Sequence, residues 1–205
     1  MPKKLYTYII MNDLGFAPNP FHGYCTLLEC KPQIRKQAAV GDWVIGLSSK
    51  TSNNKIVFAM EVTEKMPISQ YWSDERFVAK RPDFTSEEPL QKCGDNIYEP
   101  LVGNKFAQMR SFHKMSHTDD RDHLKTDLSG KNVLISSNYW YFGQDSIALP
   151  VMLKGLIIGR GHRCCFLDSF VNDVIAYVSK LQKPTIFKPT HIIANNRCSN
   201  QKTCR

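Results

Sequence analysis

The sequence predicts an α+β fold: a curled mixed β-sheet, or a partly open β-barrel, with peripheral helices. Three observations predict it. Short runs rich in β-branched and aromatic residues recur from Lys3 to Phe142, bounded by Gly, Pro, Asn and Ser as strands are. Helical periodicity is confined to two short stretches and one long one near the end of the chain. Strands and helices do not alternate regularly, which disfavours a doubly wound parallel sheet. With 205 residues, of which 42% are hydrophobic and 22% charged, the chain can bury a core without disulfide or metal staples. Residues 1–194 are read as one domain and residues 195–205 as a polar tail.

Lys3–Met11 reads as the first strand. Leu5, Ile9 and Met11 face one way and Tyr6, Tyr8 and Ile10 the other, so both faces are apolar and both call for burial. The segment Gly15-Phe-Ala-Pro-Asn-Pro-Phe-His-Gly23 is an ordered loop. Cys25–Glu29 is a second extended piece. Pro32 opens a helix at the position where its missing N–H costs nothing, and Gly41 ends the stretch Gln33–Ala39. Asp42–Leu47 is a strand with Trp43, Ile45 and Leu47 on one face. Lys55–Val62 is another, joined to it by the turn Ser49–Asn54. Pro67 opens a helix through Ala79. Residues 83–128 read as polar and irregular. Strands are expected again at Asn132–Ser136, Tyr139–Phe142, Ile147–Leu149 and Leu153–Ile158. Cys165–Leu181 is the longest helix, with Phe166, Phe170, Val174 and Val178 on one stripe. His191–Ala194 is a last strand. Trp43, Phe58 and Ile135 are assigned to one core, with the final helix on it.

The charge balance is +8, from 27 Lys and Arg against 19 Asp and Glu. Such a field favours phosphate-rich partners without selecting among their sequences. No run approaches the roughly 18 apolar residues of a membrane span. Leu5–Met11 is too short and too polar for an export signal. Seven scattered cysteines, an odd number, read as reduced thiols in a cytoplasmic protein.

The segment Gly159-Arg-Gly-His-Arg163, placed before a helix, offers an anion site. Glycine admits close backbone approach, helix N-termini attract anions, and Arg160 and Arg163 add forked donors. A tight turn with two solvated arginines is the plainer reading. No Gly-Lys-Ser/Thr follows, and Cys164 stands at the third glycine position of a dinucleotide fingerprint. Tyr139-Trp-Tyr-Phe142 sets rings on both faces of one strand, so Trp140 and Tyr141 are candidates for stacking on a base as well as for the core. Tyr71 and Trp72, with Asp74 and Arg76, form a similar set. Catalytic signatures are absent: no Gly-x-Ser-x-Gly and no Cys-x-x-Cys occur. We therefore expect no metal and no cofactor. His113, His117, Asp119, Asp120, Asp122 and His123 fit no calcium loop, because Leu124 stands where an oxygen ligand is required.

Several segments together resemble the nucleotide modification associated domain 2 family. They are Gly15–Gly23, Cys25–Arg35, Gly41-Asp-Trp-Val-Ile-Gly46, Gly94-Asp-Asn-Ile-Tyr98, Val133–Ser136 with Tyr141-Phe-Gly143, and Gly159-Arg-Gly-His162. The resemblance spans Tyr6 to Cys165. It implies an association with DNA base modification in bacteria and phages. The Gly-Asp-Trp strand, with Trp43, is also similar to a turn of PUA-like domains, which hold a base in an aromatic-lined pocket of a small curled sheet. Three readings follow. The first is a binding module for a modified nucleobase or nucleotide in DNA. Its base edge is read by Asn19, Asp95 and Asn96, whose short side chains pair donors with acceptors, and its phosphate by Arg160, Gly161, His162 and Arg163. Turn chemistry explains Asn19 and Asn96 equally well. The second is an enzyme on a nucleotide, with His162 as general acid or base oriented by Asp42 or Asp95. The third is a protein-interaction subunit of a modification or defence system.

Overall fold

In chain order the strands are β1 (Leu5–Ile10), β2 (Cys25–Leu27), β3 (Trp43–Ser48), β4 (Ile56–Glu61), β5 (Glu64–Pro67), β6 (Tyr98–Leu101), β7 (Lys105–Gln108), β8 (Asn132–Ser136), β9 (Asn138–Tyr141) and β10 (His162–Arg163). The α-helices are α1 (Pro32–Gln37), α2 (Ile68–Ser73), α3 (Arg121–Leu128) and α4 (Asp168–Ser179). The computed structural model describes residues 2–111 and 121–191, without the side chains of residues 121–123.

The main sheet has five strands in the order β10-β1-β3-β4-β9. β1 and β3 are parallel, in register from Leu5↔Trp43 to Ile10↔Ser48. Every other pair in the sheet is antiparallel. Gly46 lets β1, β3 and β4 lie close, because a Cβ there would overlap both the Phe58 ring and the Ile10 side chain. A second sheet runs β2-β8-β5, and β6-β7 is a separate hairpin.

The α+β class and the mixed sheet agree with the sequence reading. The curled or barrel-like form does not: among the described residues the main sheet ends on two unjoined edges, β10 and β9, and no sheet closes or curls strongly. The reason lies at two corners. β4 is followed at once by β5, and β8 by β9, yet each successor joins the other sheet. At the corner Thr63 N–H donates to Ile135 O at 2.9 Å, and Ser137 N–H donates to Thr63 Oγ1 at 3.0 Å. Ser136 Oγ bonds both the carbonyl and the N–H of Asn138, which sharpens the bend. Strands that change sheet at a bend make corners between packed sheets.

The packing is layered. Tyr6, Tyr8, Val44, Phe58 and Met60 of the main sheet meet Cys25, Leu27 and Leu134 of the second sheet, with Ile34 of α1. The opposite face of the main sheet, through Leu5, Trp43, Ile45 and Trp140, packs on Val171, Val174 and Val178 of α4. Each of these valines contributes about 1.5–3 kcal/mol by leaving water. The far face of the second sheet, through Val133 and Ile135, covers Tyr71, Phe77, Ile97 and Tyr98. Trp43, Phe58 and Ile135 therefore lie in three cores and not in one. Trp43 and Phe58 stand on opposite faces of the same sheet, and Ile135 points away from both.

Other expectations are corrected by local chemistry. The helix expected over Pro67–Ala79 breaks at Asp74, whose carboxylate accepts Arg76 N–H, and continues as a 3-10 helix, Glu75–Lys80. Such side-chain capture of the backbone competes with the helix. Leu153–Ile158 is no strand. A 3-10 helix, Val151–Leu156, buries Leu153 and Leu156 together, since residues three apart share a face at three residues per turn. Ile147–Leu149 makes only one bridge, Ile147 to Ile56. The stretch read as irregular holds the β6–β7 hairpin, turned at Gly103 and Asn104 with positive φ, and α3. His191 lies in a turn. The remainder of the strand expected there, the tail, and the loop His113–Asp120 lie outside the described residues.

Candidate functional site

β1 and β3 end side by side, and the ends of parallel strands leave a crevice that loops can furnish. Here the crevice is a pocket of about 230 Å³. Ile10, Met11 and Val57 give it apolar surface. Asp13, the Ser48–Lys55 turn, Gln144, Ser146, Thr190 and His191 give it polar walls.

Asp13 is the keystone. It is buried, and its Oδ1 accepts the Tyr141 hydroxyl at 2.7 Å. Its Oδ2 accepts both Thr190 N–H and Thr190 Oγ1–H at 2.9 Å. Its main-chain N–H donates to His191 Nδ1 at 3.0 Å, and its carbonyl accepts His191 N–H at 2.9 Å. With Nδ1 acting as acceptor, the ring N–H is on Nε2. Burial, and then the Asp13 charge, hold the Tyr141 hydroxyl well above its ordinary pKa, so it stays a donor. The facing turn is hydroxyl-rich: Ser48 Oγ donates to Ser52 O and accepts Lys55 N–H. Asn53 and Asn54 hold left-handed φ of 66° and 49°, which asparagine tolerates. Lys55 makes no ion pair with a described residue.

Arg160 belongs to the same end of the sheet. β10 runs antiparallel to β1, with Thr7↔Arg163 and Tyr8↔His162. The chain just before His162 therefore leads toward the C-terminal end of β1. Arg160 and Gly161 are exposed there, and Gly161 has a φ of +85° that a side chain would strain. α4 begins only at Asp168, with that acid in its first turn. The Gly159–Arg163 segment is thus not at a helix N-terminus, because His162 and Arg163 are spent on an edge strand.

The expected edge readers form a second constellation. Asn19 and Asp95 meet Tyr71, one of the candidate rings, in one buried network with Thr26 and Lys80. Lys80 Nζ donates to Asn19 Oδ1, Asn19 O and Tyr24 O at 2.5, 3.1 and 2.8 Å. Asp95 accepts Thr26 Oγ1–H and the Tyr71 hydroxyl, each at 2.7 Å. Asn19 Nδ2 donates to Gly15 O and Cys93 O, and Asn96 Nδ2 to Tyr71 O and Phe77 O. Burial pulls Lys80 down to about 8, against the pull of Asp95, and pushes Asp95 up. No Lys80–Asp95 ion pair forms within 4.0 Å, so their attraction acts through space. The network pins the Gly15–Gly23 loop to the second sheet, and protein groups occupy the polar atoms named.

The remaining rings are separated. Trp43 and Trp140 stack at 5.8 Å beneath α4, and Trp140 Nε1 donates to Leu181 O. Trp72 is half-buried with the Arg81 guanidinium 3.9 Å over its ring. His162 is half-buried and paired with Tyr8 on the sheet. Neither expected carboxylate orients it: Asp42 accepts Lys4 N–H and Ala39 N–H, and Asp95 is committed as above.

The residues missed in the sequence are Asp13, Lys55, Gln144, Thr190 and His191. Asp13 had a signal, a carboxylate just past the C-terminal end of a strand. The others are brought in only by folding. Among the described residues no group of three His, Cys, Asp or Glu is placed to hold a metal, and no helix is long and apolar enough to cross a membrane.

Neither the curated proteins nor the solved structures hold a match to this sequence. The sequence profile of nucleotide modification associated domain 2 matches residues 2–196, beyond the Tyr6–Cys165 span that the motifs cover. The chain belongs to the nucleotide modification associated domain 2 family.

Proposed function

We propose that the chain is a binding module for a modified nucleobase or its nucleotide in DNA, with the base in the strand-end pocket. The observation that carries this is the pocket's size and lining. At about 230 Å³ it falls below the roughly 300–1,000 Å³ of most small-molecule sites, which suits one planar group and not a whole nucleotide. Ile10 and Val57 offer apolar contact to a ring. Gln144 and the Nε2–H of His191 offer edge donors. Lys55 and Arg160 offer charge for a phosphate at the rim. The buried Asn19–Tyr71–Asp95–Lys80 network serves in this reading as the frame that holds the loops. Among the described residues Cys25, Cys93, Cys164 and Cys165 form no disulfide, which supports a reducing, cytoplasmic setting.

The test is calorimetric titration with a panel of deoxynucleoside monophosphates bearing modified and unmodified bases. At least one binds, and Gln144→Leu and Lys55→Met each weaken it about tenfold, the loss of one hydrogen bond of about 1.4 kcal/mol. Melting temperatures stay unchanged. If no mononucleotide of the panel binds, the reading is wrong.

A further inference from the structure

The edge of the main sheet carries a second cleft, of about 540 Å³, lined by Gly155, Arg163, Cys165, Phe166, Leu167 and Phe170. We infer that this cleft holds single-stranded nucleic acid flanking the pocketed base, with a base stacked on Arg163 and Phe166 and a phosphodiester on the Arg163 guanidinium. This extends the proposed function to the neighbouring strand.

Three features argue for it. First, the rings are set in a stack that ends on a cation. Phe166 and Phe170 stack at 5.4 Å and 20°, and Arg163 Cζ lies 4.6 Å from the Phe166 centroid. Gly155 makes room for the stack, since a Cβ there would come within 3.0 Å of the Phe170 ring. A stack of rings capped by a guanidinium plane is a platform for an unpaired base. Second, Arg163 keeps donors in hand. Its Nε and Nη1 make only long bonds of 3.3 Å to Cys165 O and Gly155 O, and Nη2 bonds no described residue. A forked pair of N–H groups suits a phosphodiester. Third, the charge is complementary. Arg163 is the one charged residue of the described lining, and Lys154 and Arg160, with the acid Asp168, are exposed nearby in sequence. Leu167, 78% exposed, adds apolar surface to the cleft.

The two sites are neighbours. Arg163 pairs with Thr7, and the pocket begins at Ile10, about 10 Å farther along β1 at roughly 3.3 Å per residue. Arg160, three residues before Arg163, is exposed.

The experiment compares two probes on the full chain: a short fluorescein-labelled oligothymidylate by anisotropy, and thymidine monophosphate by calorimetry. Arg163→Gln and Phe166→Leu are expected to weaken the oligonucleotide about tenfold, as loss of one stacked base does. Arg163→Gln should also lower the slope of log affinity against log salt by about 0.7, one phosphate of a single strand. Mononucleotide affinity stays the same in both variants, and Arg163→Gln also keeps the melting temperature; Phe166 packs on the core beneath α4, so Phe166→Leu is read by affinity alone. If both variants leave oligonucleotide affinity and slope unchanged, the cleft proposal is overturned while the pocket reading stands. If they weaken both probes equally, Arg163 belongs to the pocket and the separate subsite is overturned. If the oligonucleotide responds and no mononucleotide binds, the cleft stands and the pocket reading falls. If the chain binds an acidic peptide through Arg163 and no oligonucleotide, the surface is a protein-docking site and the proposal is overturned.

Discussion

Tyr141 donates its hydroxyl to the buried carboxylate of Asp13 at 2.7 Å, across 128 residues of chain. The bond joins the last strand of the main sheet in spatial order to the loop after its first strand in sequence. Because Asp13 also holds Thr190 and His191, one hydroxyl supports the geometry of the whole strand-end pocket. Tyr141→Phe keeps the ring and removes the donor. It should lower stability by about 1.5–3 kcal/mol, the range for a hydrogen bond to a charged group, as read by urea denaturation. Nucleotide affinity should fall with it.

Lys80 is fully buried and donates three hydrogen bonds. Lys80→Met leaves Asn19 Oδ1 without this donor and should cost at least about 2 kcal/mol. The pH dependence has a definite sign. The folded chain releases the Lys80 proton near 8, below its ordinary value of 10.5. Between those values the unfolded chain binds more protons, so this group makes stability rise with pH. The measured gap between wild type and Lys80→Met should therefore widen from pH 8 to pH 10.5. A gap that narrows over that window contradicts the assignment.

Glu29 presents the opposite case. It is fully buried, and neither carboxylate oxygen has a hydrogen-bond partner among the described residues. Burial, and then the charges of Asp127 and Asp95, push its pKa well above 4.5. Its contribution is complete below pH 4.5 and is lost as pH rises toward the folded value. Glu29→Met should thus stabilise the protein at pH 7 by about 1–3 kcal/mol, the penalty of an unsatisfied buried group, and flatten the decline above pH 4.5. Chemical denaturation at several pH values measures both.

Gly46 sits where β3 meets β4 at a register shift. Gly46→Ala forces a methyl into Phe58 and Ile10 and should cost about 1–3 kcal/mol, as overpacking does. Gly161→Ala, whose Cβ meets nothing within 4 Å but whose φ is +85°, should cost about 1 kcal/mol from backbone strain alone. Thermal melts of the two variants separate crowding from strain.

Where most strands run, which of their faces are apolar, and the basic, nucleotide-associated character of the chain are all legible in the residues alone. These properties are local. Alternation in β1, β4 and β8 is written in consecutive residues, and Pro32 marks the start of α1. The motifs that carry the family resemblance are likewise short. The parallel pairing of β1 with β3, and the departure of β5 and β8 from the main sheet at a corner, emerge only on folding. So does the fate of the polar residues. Asn19, Tyr71, Asn96 and Asp95 carry the chemistry of base readers, and folding brings them together, but around Lys80 and behind the second sheet. Asp13 carries no motif, and folding sets it beneath a pocket. The physical reason is the same in each case. A strand's partner and a polar group's donor come from segments far along the chain, and burial depends on what those segments cover, which no local period encodes.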